Sequence, residues 1–382
     1  MPKPKVLFIM HMPPPVHGAA MVGKYIHDSK IVNESFNCRF ENMMLARSLE
    51  DIGKGGVKKI FDLISQLKRF KQALKEFRPD LIYITPNAAG GAFYKDFIIV
   101  QYLKYCIKKY LNNNSQIVVH YHNKGVTDRQ NKNIDDFLYK RFFKGLKVIL
   151  LAKILYKDVS KYVSKENTFI CPNGIPETLS QEPSAERHNE VPQILFLSNL
   201  IISKGILVLL DALKILKEHS INFTCNIVGG ETNELSAAKF EDEIKKRKLE
   251  DSVFYAGRKY GIEKKPFFEN ADIFTFPTFY HNEAFPLVNI EAMEYKLPII
   301  STNEGGIANM VENGVNGLIC ERQDAKSLAN ALKTLLLNKN LRLQYGENGY
   351  KKFKLEYTLH SFELNFAKVL KDIISQSHNS RS

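Results

Sequence analysis

Four segments of this 382-residue chain carry residue types suited to holding a phosphorylated ligand. Ser198-Asn199-Leu200-Ile201-Ile202-Ser203-Lys204-Gly205 joins an apolar run to an amphipathic one. A lysine there can meet a phosphate beside a helix N-terminus. Glu283-Ala284-Phe285-Pro286-Leu287 leads into a helical pattern that carries Glu291. Proline suits the first helical turn, which leaves Glu283 ahead of the helix and Glu291 about 7–8 Å further along its axis. Carboxylates so spaced can serve two parts of one elongated ligand, while unbonded first-turn amides face anionic oxygens between them. Gly305-Gly306 follows another apolar run, and His11-Met12-Pro13-Pro14-Pro15-Val16-His17-Gly18 closes the first one. Glycines at strand–helix junctions let backbone approach a phosphate. Each segment also has a plainer reading: a solvated lysine, a capped amphipathic helix, ordinary turns.

These segments sit at regular places in an alternation. Strand-like runs occur at 5–10, 36–41, 81–85, 116–122, 148–152 and 168–171, with helical patterns between them. In the 57–77 pattern, Val57, Ile60, Phe61, Ile64, Leu67 and Leu74 are expected to share the buried face. A polar stretch with two prolines at 176–191 interrupts the series, which restarts with strands at 193–198, 223–228, 253–256, 273–277 and 298–302. Residues 324–376 read as helical. The class is α/β, with two doubly wound Rossmann-like domains expected to face each other across a cleft. The expected divisions are 1–180, a linker at 181–191, 192–355, and a C-terminal helix at 356–382 packing back toward the first domain.

Composition narrows the classes further. Apolar residues make up 44% and charged residues 25%, which excludes disorder or a coiled coil as a description of the whole chain. Five scattered cysteines with no Cys-x-x-Cys pair argue against a disulfide framework or structural zinc, and favour a reducing, cytoplasmic setting. No apolar run reaches membrane-spanning length, and 6–10 is too short for a signal-peptide core. The formal charge of +13 is uneven: residues 1–190 carry 30 Lys and Arg against 18 Asp and Glu, a net +12. That excess fits an anionic partner such as a phospholipid surface or a pyrophosphate-linked substrate. Nucleic acid is disfavoured, since finger spacings, RNP-like aromatics and dense arginine runs are missing. The dinucleotide signature G-x-G-x-x-G is missing too.

The order Pro172-Asn173-Gly174-Ile175, Lys204-Gly205, Glu283 to Glu291 (E-x-F-P-L-x-x-x-E), Gly305-Gly306 and Asn316-Gly317 resembles family 4 retaining glycosyltransferases of the GT-B fold. The resemblance runs over essentially the whole chain and is strongest from 193 to 320. It implies a nucleotide-diphosphate sugar as donor substrate, no cofactor, and a saccharide or lipid-linked saccharide acceptor. Glu291 would hold ribose hydroxyls, Glu283 the donor sugar, and the 285–287 amides the diphosphate, with Asn199 and Ala284 in the same segments. Lys204 would neutralise the leaving diphosphate and Arg258 would lie near the base and phosphate. His122, in His120-Tyr121-His122, would reach the donor sugar from the first domain, and Gly18 would approach the phosphates. Two departures stand out. Asn199 occupies a position where the family often has arginine, and Gly306-Ile307-Ala308-Asn309 lacks the usual proline and glutamate. These keep a non-catalytic nucleotide-sugar-binding subunit open, and a GT-B sugar-nucleotide epimerase stands as a further alternative. There is no D-x-D motif, and Glu241-Asp242-Glu243 reads as a solvated face, so metal-independent transfer is expected. The basic first domain, through the 57–77 helix and Lys104, Lys108 and Lys109, is expected to touch the inner face of a membrane peripherally.

Overall fold

The computed structural model describes residues 2–14, 18–43, 57–185 and 187–379. The chain divides into two compact units, one of residues 1–174 with 359–382 and one of residues 175–358. Residues 181–191, read from sequence as a linker, thus count with the second unit. They have neither helix nor strand among their described members, and Lys296 anchors Glu182 at 2.5 Å. Just ahead of them, buried Glu294 takes the amides of Thr178 and Leu179.

Each unit is built on a six-stranded, all-parallel sheet. The first contains β1 (Lys5–Met10), β2 (Asn37–Asn42), β3 (Leu81–Ile84), β4 (Gln116–Tyr121), β5 (Lys147–Leu150) and β6 (Thr168–Ile170), in the order β2-β1-β3-β4-β5-β6. Runs such as VLFIM are buried throughout because both faces are covered by helices. On one face Val6, Phe8, Tyr83, Val118 and Ile149 meet Phe362, Phe366, Leu370 and Ile373. Those last four repeat at helical spacing along the C-terminal helix Leu359–Asn379.

The second unit contains β7 (Gln193–Leu197), β8 (Thr224–Val228), β9 (Val253–Tyr255), β10 (Ile273–Phe276), β11 (Ile299–Thr302) and β12 (Gly317–Cys320), ordered β12-β11-β10-β7-β8-β9. Chain direction across the sheet reverses between β7 and β10. Loops leaving those two strands therefore diverge and open a crevice at their carboxyl ends, the usual ligand position in such sheets. The corresponding switch in the first sheet lies between β1 and β3. β12 was absent from the sequence reading, because four residues opening on a glycine give no usable alternation.

One helix corrects the sequence reading. Val57–Phe77 has the expected limits, but its buried stripe is Gln66, Phe70, Ala73 and Leu74. Ile60, Phe61 and Ile64, expected inside, are 61%, 68% and 45% exposed. The helix carries two apolar stripes, and packing against the sheet selects the one that continues through Phe70. The side chain of Val57 lies outside the described residues.

Candidate active site

Lys204 ends a short 3-10 turn after β7, and Gly205 turns the chain into the Ile206–Glu218 helix with φ of 87°. Only glycine serves there, since a Cβ would also run into the Pro277 carbonyl at the end of β10. That close approach delivers Lys204 to the β7/β10 switch point. Its Nζ lies 2.5 Å from Glu283 Oε2, with the two side chains 16% and 11% exposed. The ammonium also stands 4.4 Å from the Tyr280 ring centroid and 5.5 Å from that of Phe276. Cation, carboxylate and aromatic faces thus converge on one point at the carboxyl edge of the sheet.

Glu283 is held by its own backbone, its amide donating to the Tyr280 carbonyl at 2.8 Å. The Gly305-Gly306 turn supports the same loop. Gly306 N–H donates to the Ala284 carbonyl at 2.7 Å, and a Cβ on Gly305, whose φ is 56°, would strike the Glu283 carbonyl. The glycine pair is accounted for by this backbone contact. Ala284 and Phe285 have buried side chains, Phe285 stacking edge-on against Tyr357 at 5.8 Å, so only their backbone can serve a ligand.

Pro286 is the N-cap of the Leu287–Glu294 helix, one position earlier than a first-turn proline. Asn289 N–H returns to the Pro286 carbonyl at 3.2 Å. The N–H groups of Leu287 and Val288 have no intrahelical acceptor and remain available to an anion. Glu291 follows one turn on. Its Oε1 receives Lys264 Nζ at 2.5 Å, while its Oε2 is buried without a hydrogen-bond partner among the described residues. Asn289 is fully buried with both amide atoms unpartnered there.

Asn199 is engaged in the scaffold. Its Oδ1 accepts Gly230 N–H at 3.2 Å, which ties the loop after β7 to the loop after β8. Arg258, after β9, lies against that same Gly230 so closely that a methyl group would not fit between them. It is exposed and makes no ion pair among the described residues. A guanidinium therefore stands beside the position where the resemblance led one to look for arginine.

In the first unit, Gly18 opens the Gly18–Asp28 helix after β1, and residues 15–17 of that loop lie outside the described residues. His122 follows β4 and is half-buried, its ring 4.3 Å from that of His120. His120 is fully buried and hydrogen-bonds Tyr83 Oη through Nδ1 at 2.8 Å. Burial foremost, and then His122, hold its pKa well below the usual 6.5. The loop after His122 is fixed by Asp158, whose carboxylate takes the amides of Gly125, Val126 and Thr127 at 3.0, 3.2 and 2.9 Å. Sequence reasoning missed Lys264, Tyr280, His120 and Asn289. A lysine in a lysine-rich loop and an asparagine within an apolar helix carry no local signal of their tertiary partners.

Residues 178–352 match the family model for glycosyl transferases group 1. The capsular polysaccharide biosynthesis glycosyltransferase CapM of Staphylococcus aureus is 27% identical over 223 residues, 55% of this chain and 57% of that protein. The chain thus spans little more than half the length of this relative. Among solved structures, a glycosyltransferase from Rickettsia africae ESF-5 superposes with a TM-score of 0.72 at 17% identity, covering 97% of this chain and 99% of that one. HepE of Anabaena, solved in complex with UDP-glucose, superposes with a TM-score of 0.69 at 18% identity, covering 96% and 99%. These likenesses establish the GT-B fold.

Proposed function

We propose that this chain, whose residues 178–352 match the family model for glycosyl transferases group 1, moves a sugar from a nucleoside-diphosphate sugar to a saccharide or lipid-linked saccharide acceptor in cell-surface polysaccharide synthesis. The observation that carries the reading is the meeting of Lys204 and Glu283 at the β7/β10 switch point, beside the free amides of Leu287 and Val288. CapM's role in capsule synthesis and the UDP-glucose in HepE are in keeping with it.

In this reading the bond between the anomeric carbon and the diphosphate breaks, the acceptor hydroxyl oxygen bonds that carbon, and its proton leaves with the diphosphate. Negative charge grows on the departing diphosphate. Lys204 and the helix N-terminus meet it with groups already oriented, which is the most effective form of electrostatic stabilisation. Arg258 supplies the second cation that Asn199 does not. With charge met by the chain itself, transfer runs without a divalent metal. Glu283 orients the transferred sugar and Glu291 takes the ribose. Retention of configuration rests on the sequence resemblance.

The acceptor side is read from the first unit's surface. Ile60, Phe61 and Ile64, then Tyr94 and Ile98, then Ile134 and Phe137 are exposed. All lie in the first nine residues of Val57–Phe77, Gly90–Tyr110 and Asn133–Phe143. Those helices follow β2, β3 and β4, so they begin at the carboxyl edge of the sheet, and lysines 68, 71 and 75 continue along the first of them. An apolar rim backed by cations suits the interface of an anionic bilayer, where a lipid-linked acceptor would reside. Among the described residues no helix is long and apolar enough to cross a membrane.

The test is turnover. Purified protein is incubated in EDTA with a panel of nucleotide sugars, with and without a bacterial lipid extract. Release of nucleoside diphosphate that depends on the extract is the expected result. Isomerised nucleotide sugar, or binding with no release, would overturn the reading.

A further inference from the structure

Glu291 is held from one side only. Lys264 closes the 3-10 turn Gly261–Lys264 after β9 and places Nζ on Oε1 at 2.5 Å, with the two side chains 21% and 22% exposed. Oε2 is buried and lacks a donor among the described residues. A buried carboxylate oxygen without a partner carries a desolvation cost that a ligand hydroxyl can relieve. The neighbouring Lys265 pairs instead with Glu269 at 3.6 Å, so the contact to Glu291 belongs to Lys264 specifically. An ammonium has three N–H groups, and the contact to Oε1 uses one of them.

We propose that Lys264 is a positioning residue for the nucleoside of the donor: it fixes Glu291 by Oε1, leaves Oε2 as the oxygen for a ribose hydroxyl, and so makes the site select ribose over deoxyribose. This rests on the assignment of Glu291 to the ribose made above. It goes beyond that assignment in giving the carboxylate its orientation and in naming the group that sets sugar selectivity. A purely structural ion pair of this exposure would contribute modestly to stability and leave nucleotide preference unchanged.

The experiment is calorimetric titration of the full chain with UDP, GDP, ADP and CDP, then with the 2′-deoxy form of whichever binds best, alongside a thermal melt. Wild type is expected to bind the ribonucleotide about tenfold or more tightly than its deoxy form, the scale of one charge-assisted hydrogen bond. Lys264→Met should weaken ribonucleotide binding about tenfold and bring the ratio near one. Lys264→Arg should restore the preference. A folded Lys264→Met protein that keeps the wild-type preference, while Glu291→Gln loses it, overturns the inference and leaves the ribose assignment standing. If Glu291→Gln keeps the preference as well, the assignment itself has failed and the inference falls with it.

Discussion

Lys204 interacts with Glu283 and with two aromatic faces before any ligand arrives. The pair and the two rings hold the ammonium aimed at the carboxyl end of the sheet. Lys204→Ala should lower kcat about a hundredfold or more, as does removal of one preorganised donor to a developing oxyanion. A loss confined to donor KM would contradict the role. His120 yields a separate prediction from its depressed pKa. Below pH 6.5 the unfolded chain binds a proton that the buried imidazole refuses, so this group's contribution to stability is complete above pH 6.5 and declines as pH falls. Wild type should lose more melting temperature than His120→Gln between about pH 7 and about pH 5.5; equal losses would show that His120 is not involved. The positions of Lys204 and Glu283 were legible in the sequence because they stand at strand–helix junctions, where the chain's path is fixed, and Glu291 because it follows one helical turn on. Lys264 was not, since its meaning comes from a carboxylate 27 residues away.

At the level of elements, the strand–helix alternation could be read because buried parallel strands leave unmistakable apolar runs. Orientation was harder. The Val57–Phe77 helix has two apolar stripes, and periodicity alone cannot say which meets the sheet. The stripe left outside becomes informative once its position at the helix start is known. Replacing Ile60, Phe61 and Ile64 together with glutamine should abolish sedimentation with anionic vesicles and leave the melting temperature within about a degree, as for surface sites. Unchanged sedimentation would remove the bilayer from the account. The Gly305-Gly306 turn makes a complementary case. Gly305→Ala combines positive φ with a backbone collision and should cost the second unit about 1–3 kcal/mol in chemical denaturation. A neutral effect would show that the turn does not support the Glu283 loop.

For the chain as a whole, the two sheets share a strand number but differ in topology and charge. The second has the strand order common to nucleotide-binding sheets, and its switch point coincides with Lys204 and Glu283. The first lies within the half that holds the excess of lysine and arginine, and it carries the apolar rim. In the proposed function the second unit is the donor's holder. A structure determined with a bound nucleotide sugar tests that most directly. The account predicts the diphosphate within hydrogen-bonding distance of Lys204 and the Leu287–Val288 amides, with the ribose on Glu291 Oε2. A nucleotide bound elsewhere on the chain, leaving the Lys204–Glu283 pair untouched, would contradict it.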